Sequence, residues 1–181
     1  ALPRGGVPVG KAVAEELGAP LDVFVVRKLG SPGQPELAMG AVASGGVRVL
    51  NESIVQALGL REERIDEITQ RETEKLERQE QQFRGDRTLQ ELRGRSVVLV
   101  DDGLATGATM DAACHAVRRL EPRQIVVAVP TAPPDAVDRL KQTADHVITV
   151  ITPGDFAGVG AWYQDFSQLS DGEVRRLLES G

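Results

Sequence analysis

The chain has 181 residues, of which 41% are hydrophobic, and its formal net charge is −6 at pH 7. This length fits a single domain with its own core, and no apolar run approaches the length of a membrane span. The acidic balance disfavours binding to nucleic acid or to a membrane surface, and the single cysteine, Cys114, excludes an intrachain disulfide framework and fits the reducing cytoplasm.

The first residues predict the end of a strand followed by a loop. Ala1 and Leu2 are apolar, and the run Pro3-Arg4-Gly5-Gly6 comes next. Because strands usually have about five residues, either part of this strand lies upstream or its boundary is elsewhere. Removal of an initiator methionine before Ala1 would also produce this start, so the sequence leaves the choice open.

Two regular elements are predicted after this loop. Valines and a leucine at intervals of four residues predict a helix over 7–17. A continuous apolar run predicts a buried strand over 21–26, with two cations, Arg27 and Lys28, at its end. Cations in that position can bind an anion or can lie in solvent as ordinary surface residues, and the sequence supports both interpretations equally.

The segment before the central motif is polar and irregular. Gly and Pro residues predict a loop over 29–40, and valines on either side of 44–46 predict a short hairpin. Asn51 is expected to cap a short helix. Residues 61–84 are dense in Glu, Arg and Gln with a thin apolar stripe, which predicts a long helix. This helix either lies solvated along the domain or joins a dimer partner.

The second half of the chain alternates between apolar runs and helical periodicities. The pattern predicts strands over 97–100, 125–129 and 147–151, and helices over 108–120, after Pro133-Pro134 and near the C-terminus, where Ser170 and Glu173 form a capping box. Strands that alternate with helices form a mostly parallel, twisted sheet covered by helices on both faces. The predicted fold is therefore a single α/β domain over residues 1–181.

The most informative motif follows the predicted strand at 97–100. Two adjacent acids, Asp101 and Asp102, stand at its carboxyl end, where ligands bind in an open parallel sheet. Small and hydroxyl residues then lead into a helix: Gly103, Leu104, Ala105, Thr106, Gly107, Ala108 and Thr109. Such a loop exposes N–H groups at the positive end of a helix dipole and can hold a phosphate. The acids can accept from sugar hydroxyls or hold Mg²⁺, and the simpler alternative is a βα turn that only caps the helix.

A second anion site is predicted at Arg4, Gly5 and Gly6. The glycines allow backbone amides to approach a ligand closely, and the Arg4 guanidinium suits a phosphate. Arg27 and Lys28 can serve the same anion, although Pro-Arg-Gly-Gly is also a common tight turn. Together with the central motif, these residues describe a ligand that has a monophosphate at one end, a diphosphate at the other and a polyol between them.

These motifs resemble those of a known enzyme family. The run from Val97 to Thr109 resembles the phosphoribosyl diphosphate-binding motif of type I phosphoribosyltransferases, which combines an aliphatic strand, two acids and a loop containing Thr-Gly. The Arg4-Gly5-Gly6 turn is similar to the pyrophosphate loop of that family. The whole chain resembles a bacterial branch known as predicted phosphoribosyltransferases, which share the Pro-Arg-Gly-Gly start and an aromatic Gly-x-Trp-Tyr-x-Asp-Phe tail.

The resemblance implies a transferase that moves a 5-phosphoribosyl group from phosphoribosyl diphosphate to a nitrogen acceptor and releases pyrophosphate. Asp101 and Asp102 would be the catalytic residues, contacting the ribose hydroxyls directly or through Mg²⁺. Residues 105–109 would hold the 5-phosphate, and Arg4 with the two glycine amides would hold the pyrophosphate. A small C-terminal hood over 152–169 would cover a heterocyclic acceptor. A cytoplasmic homodimer that acts in nucleotide salvage is expected.

The acceptor is the least defined part of this prediction. Trp162 and Tyr163 in the hood either stack on a flat heterocycle or anchor the tail in the core. Gly103 replaces an aliphatic residue of the family pattern, which predicts a looser loop. Ala105 replaces the Asp that 6-oxopurine enzymes use to handle a base proton, which argues against hypoxanthine or guanine as the acceptor.

Two other functions fit the same motif. The main alternative is a non-catalytic regulatory protein that binds phosphoribosyl diphosphate and passes the signal to a partner. Because the chain is acidic, a protein fits that partner better than a nucleic acid does. A phosphosugar synthase or hydrolase on the same scaffold is a third function that the motif allows.

Overall fold

Two three-stranded sheets form the framework of residues 1–179, which the computed structural model describes. The strands are β1 (Val26–Ser31), β2 (Gln34–Ala43), β3 (Val47–Leu50), β4 (Ser96–Val100), β5 (Gln124–Thr131) and β6 (His146–Ile151). The helices are α1 (Gly6–Leu17), α2 (Glu52–Ala57), α3 (Glu62–Arg84), α4 (Ala108–Arg119), α5 (Pro134–Leu140) and α6 (Asp171–Glu179), with a turn of 3-10 helix at Val159–Trp162. No helix among residues 1–179 combines the length and apolar character needed to cross a membrane. The last two residues of the domain predicted over 1–181 lie outside the described part.

One sheet is parallel, with the strand order β4-β5-β6, and it confirms the predicted α/β architecture. Leu99 of β4 and Ile125 of β5 pack in one buried cluster with Val117 of α4 and Leu140 of α5. The apolar runs and helical periodicities of the second half of the chain therefore predicted these elements correctly. The two acids of the central motif follow β4 directly at the carboxyl edge of this sheet.

The other sheet is antiparallel, with the order β1-β2-β3. The predicted hairpin around 44–46 is confirmed by the β2–β3 pairing, but the predicted strand over 21–26 and loop over 29–40 are wrong. Backbone pairing begins at Val26 and continues to Ser31, so Arg27 and Lys28 lie within a strand rather than at its end.

A bulge explains why the glycine- and proline-rich segment forms a hairpin instead of a loop. The β1–β2 register shifts on both sides of Gly30. A Cβ on Gly30 would lie 2.7 Å from the carbonyl oxygen of Pro35, so the absence of a side chain lets the two strands approach there. Pro32 lies in the turn, and Pro35 lies near the start of β2, before that strand begins to pair with β3 at Gly40.

The long polar helix α3 covers a second hydrophobic core. Its apolar stripe, including Ile68 and Phe83, is buried against Leu29 and Met39 of the antiparallel sheet and against Val174 of α6. The remaining surface of α3 is largely exposed and carries the charged residues. Within this domain, α3 is therefore a packed helix with one solvated face.

The predicted helix caps are present at two helix starts. Ile54 N–H donates to Asn51 Oδ1 at 3.3 Å and begins α2. At the start of α6, Glu173 N–H donates to Ser170 Oγ at 3.3 Å, and Ser170 N–H donates to Glu173 Oε2 at 2.8 Å. This reciprocal pair is the capping box that the sequence predicted.

The first two residues link the parallel sheet to the segment that precedes β1. Leu2 N–H donates to the Val100 carbonyl at 2.8 Å, and Phe24 N–H donates to the Ala1 carbonyl at 2.9 Å. Ala1 and Leu2 thus run between β4 and the segment around Phe24. The loop that follows, Pro3–Gly6, is held at the carboxyl edge of β4 as a result.

Arg84 at the end of α3 fastens that helix to the same segment. It is buried, and its guanidinium donates to Asp22 Oδ1 at 3.0 Å, to Glu80 Oε1 at 2.9 Å and to the Val23 carbonyl at 2.7 Å. Every face of the guanidinium fork therefore has an acceptor, and α3 is tied to the chain beside Ala1.

We expect Arg84→Leu to lower the free energy of unfolding by about 3 kcal/mol, because Asp22 and the Val23 carbonyl would lose their donor in a partly buried place. Urea denaturation measures the change. The matched control is Arg64→Gln, which removes an exposed ion pair with Glu67 on the same helix and should cost less than about 0.5 kcal/mol. Equal losses for the two variants would contradict the prediction.

Candidate functional site

Two adjacent carboxylates form the centre of the site. Asp102 N–H donates to Asp101 Oδ1 at 2.9 Å. Burial raises the pKa of Asp101 to about 7, and the negative charge of Asp102 adds to the shift. Burial also raises the pKa of Asp102. No lysine or arginine forms an ion pair with either acid within residues 1–179, so the pair has no cationic side chain of its own there.

The Arg4-Gly5-Gly6 loop lies directly against these acids. A Cβ on Gly5 would stand 1.8 Å from Asp102 Oδ2, and one on Gly6 would stand 2.8 Å from Asp101 Cα. The structure therefore brings the Arg4-Gly5-Gly6 loop to the two acids of the central motif. The Arg4 guanidinium is partly exposed, and its Nη1 lies 3.6 Å from Asp171 Oδ1 at the start of α6.

The loop after the acids is fixed from two sides. Leu104 is buried, and its N–H donates to the Thr131 carbonyl at the end of β5 at 3.0 Å. Arg139 of α5 donates from Nη1 to the Thr106 carbonyl at 3.0 Å. These bonds use one N–H and one carbonyl of the loop, and the Ala108 N–H donates to Thr106 Oγ1 at 3.4 Å.

Three backbone donors directly precede α4 without a hydrogen-bond partner in the described chain. Among residues 1–179, the N–H groups of Ala105, Thr106 and Gly107 have no hydrogen-bond acceptor. Gly107 adopts a left-handed conformation with φ of 74° and turns the chain into α4. Unpaired amides at a helix N-terminus attract anions, so this part of the loop can hold a phosphate.

Gly103 corrects one expectation. The sequence predicts a looser loop at this position, but a Cβ there would lie 2.7 Å from Val159 Cγ1 and 3.0 Å from the Thr131 carbonyl oxygen. The prediction is wrong because the missing side chain is what allows Val159, in the predicted hood, to pack closely against the loop. Gly103 makes the contact tighter.

The two aromatic candidates of the hood have different roles in the structure. The Tyr163 hydroxyl donates to the carbonyl of Asp102, and its ring lies 5.2 Å from that of Phe166. Burial and the charges of Asp102 and Asp101 raise the pKa of this hydroxyl. Tyr163 therefore anchors the hood to the acid segment, whereas Trp162 is 40% exposed and keeps an accessible ring.

The two cations of β1, Arg27 and Lys28, lie in different surroundings. Arg27 Nε donates to Glu72 Oε2 of α3 at 2.9 Å, and Arg27 lines a cavity together with Arg4. Lys28 is exposed and does not line that cavity. Successive side chains of a strand point to opposite faces, so the structure brings Arg27 to the Arg4 loop and leaves Lys28 apart.

The candidate ligands for a metal ion at this site are the two acids Asp101 and Asp102. Within residues 1–179, no group of three or more His, Cys, Asp and Glu residues is arranged to hold one. Mg²⁺ is commonly bound by one or two carboxylates together with water and substrate phosphates. Asp101 and Asp102, two partly buried carboxylates without a Lys or Arg partner in the described chain, fit that requirement.

Several residues at the site were not identified from the sequence. Arg139, Val159 and Asp171 lie on α5, in the hood and on α6, far along the chain from the loops that they contact. Their contacts depend on how distant elements pack, and no local spacing marks them.

The chain is similar to several known proteins. The family model "Phosphoribosyl transferase domain" matches residues 1–164. Two Mycobacterium tuberculosis proteins, from strains CDC 1551 and H37Rv and both named "putative phosphoribosyl transferase", are 48% identical over 178 residues. These matches cover 98% of this chain and 40% of the relatives, so the chain spans about two fifths of their length. The crystal structure of TT1426 from Thermus thermophilus superimposes with a TM-score of 0.91 at 44% identity, covering 99% of this chain and 85% of that one.

We expect Asp101→Asn to stabilise the metal-free protein more strongly at pH 8 than at pH 5. The folded protein holds the Asp101 proton up to about pH 7, whereas an unfolded Asp loses it near pH 4, so this group's stabilisation is lost progressively as the pH rises from about 4 to 7. At pH 8 the variant should be more stable by on the order of 2–4 kcal/mol. Unfolding measured at both pH values tests this, with the exposed Asp155→Asn as control. A gain independent of pH would contradict it.

We expect Gly6→Ala to lower the free energy of unfolding by about 2 kcal/mol, because its Cβ would collide with the Val100 carbonyl oxygen at 2.7 Å. That atom belongs to the backbone of β4 and cannot rotate away, so the start of α1 must move. Chemical denaturation gives the size of the loss. Gly154→Ala is the matched control, since a Cβ on Gly154 would have no neighbour within 4 Å. A loss no larger than the control's would refute the close approach.

Proposed function

Because this chain belongs to the phosphoribosyl transferase domain family, we propose that it transfers a 5-phosphoribosyl group from phosphoribosyl diphosphate to a nitrogen acceptor. The bond between C1 of the ribose and the diphosphate oxygen breaks, and pyrophosphate leaves with the bonding electrons. The acceptor nitrogen bonds to C1 and loses a proton. The observation that carries this proposal is the contact between the Gly5–Gly6 turn and the acids Asp101 and Asp102.

Each part of the donor has a matching group at the site. The unpaired amides of residues 105–107, at the start of α4, would hold the 5-phosphate. The Arg4 guanidinium and the Gly5 amide would hold the diphosphate. The Gly6 N–H, which the sequence also assigned to this anion, instead donates to the Leu2 carbonyl at 3.1 Å. The ribose would then lie over Asp101 and Asp102, whose carboxylates accept from its hydroxyls.

This arrangement favours the transition state through charge. As the C1–O bond breaks, positive charge develops on the ribose and negative charge on the leaving diphosphate. Carboxylates beside the ribose and cationic or N–H groups around the diphosphate oppose both charges in fixed positions. Asp101 and Asp102 are the residues that would hold Mg²⁺, which when bound would neutralise part of the leaving-group charge.

The proposed acceptor is a heterocycle that would bind beside the hood residue Trp162. Trp162 offers an exposed ring on which a flat base can stack, while Tyr163 is engaged with the Asp102 carbonyl. Ala105 is exposed at the position where 6-oxopurine enzymes carry an acid. The proposed acceptor is therefore a nucleobase or related heterocycle that needs no carboxylate at this point.

We expect phosphoribosyl diphosphate with Mg²⁺ to raise the melting temperature, because a ligand that binds only the folded state stabilises it. Asp101→Asn combined with Asp102→Asn should abolish the shift. The matched control combines Asp135→Asn with Asp138→Asn, which removes the same charge from two exposed acids of α5 and should preserve the shift. No shift for the unmodified protein would refute the donor assignment.

A panel of purines, pyrimidines and pyridines then separates an enzyme from a regulatory protein. Release of pyrophosphate with one class of heterocycle supports the transferase and identifies the acceptor. Donor binding without release for any acceptor supports the non-catalytic regulatory protein instead.

A further inference from the structure

A basic cavity of about 380 Å³ lies beside the Arg4 loop, between β1 and α3. Four cations line it: Arg4, Arg27, Lys75 and Arg78. Asp171 is the one acid of the described chain in its lining. The long helix thus presents two cations, Lys75 and Arg78, toward the loop that carries Arg4.

The positive charge of this basic cavity is only partly balanced. Arg27 and Lys75 share one acid, Glu72, at 2.9 Å and 2.7 Å. Burial alone would raise the pKa of Glu72, but the hydrogen bonds from Lys75 and Arg27 hold it below its usual value. Arg78 forms no ion pair within residues 1–179. Four cations therefore face two acids, and one arginine is left for a ligand.

Asp171 is the ion-pair partner of Arg4 in this structure. Its carboxylate lies 3.6 Å from Arg4 Nη1 and accepts from the Gln82 side chain of α3. Both side chains of the Arg4–Asp171 pair are more than one third exposed, so this contact is weak and exchangeable. An anion that enters the basic cavity would take over the guanidinium that Asp171 now contacts.

We propose that the basic cavity binds the diphosphate group of the donor, with Arg78 of α3 as an additional binding residue and Asp171 as an internal competitor for Arg4. The assignment to the donor rests on the proposed function. Arg4 connects the basic cavity with the acids Asp101 and Asp102. It lines the basic cavity, and it directly precedes the two glycines that contact the acids. Arginine forks suit phosphate oxygens, and a diphosphate offers enough of them to reach both Arg4 and Arg78.

Calorimetric titration with inorganic pyrophosphate tests this proposal. We expect Arg78→Gln to weaken binding about tenfold, because one charged hydrogen-bond donor is lost. Asp171→Asn should tighten binding several-fold, because Arg4 loses its competitor. Arg64→Gln and Asp138→Asn change the charge equally on exposed residues outside the basic cavity, and binding should stay unchanged in both. Unchanged binding in Arg78→Gln, or weaker binding in Asp171→Asn, would overturn the proposal.

A competition titration separates the donor's diphosphate from a free anionic effector. Phosphoribosyl diphosphate with Mg²⁺ should displace pyrophosphate, and simultaneous binding of both would overturn the assignment to the donor. The proposed function fails separately. If phosphoribosyl diphosphate does not stabilise the protein while pyrophosphate binding still depends on Arg78 and Asp171, the anion site stands and the transferase assignment falls.

Discussion

The glycine turn of the first loop lies so close to the acids after β4 that no side-chain carbon fits between them. This approach requires that Leu2 pair with Val100, that Ala1 pair with the segment before β1, and that α1 begin at Gly6. The candidate site therefore forms only when the parallel sheet and the segment leading to the antiparallel sheet have come together. Its geometry is a property of the assembled domain and not of one loop.

Sequence patterns predicted the second half of the chain well because burial and regular structure coincide there. Each apolar run is a strand of the parallel sheet, the helices α4 and α5 pack on that sheet, and α6 packs in the second hydrophobic core. In the first half the two properties separate. Val23 and Val25 are buried, yet strand pairing begins only at Val26, and the segment read as a loop from its glycines and prolines is a bulged hairpin. Apolar character predicts which side chains are buried, but it does not predict which backbone groups form the hydrogen bonds of a strand.

In the candidate site too, the sequence predicted some features and not others. Its two acids and two loops could be predicted as neighbours, because parallel strands end at one edge of a sheet and glycines mark places of close approach. The residues that support them could not. Arg139 reaches the Thr106 carbonyl across 33 positions of the chain, and Arg78 and Asp171 meet at the basic cavity from helices at distant places in the sequence. Such contacts follow from helix packing, for which the chain carries no local signal.

The hydrogen bond from Tyr163 ends on the backbone of Asp102, the residue whose carboxylate faces Gly5. A hood attached in this way cannot lift without releasing the peptide group that orients the acid. In the transferase that we propose, this bond would link the position of the hood to the alignment of the acid beside the donor. Aromatic residues make up only 3% of the chain, and one of them joins the hood to the backbone of the acid segment.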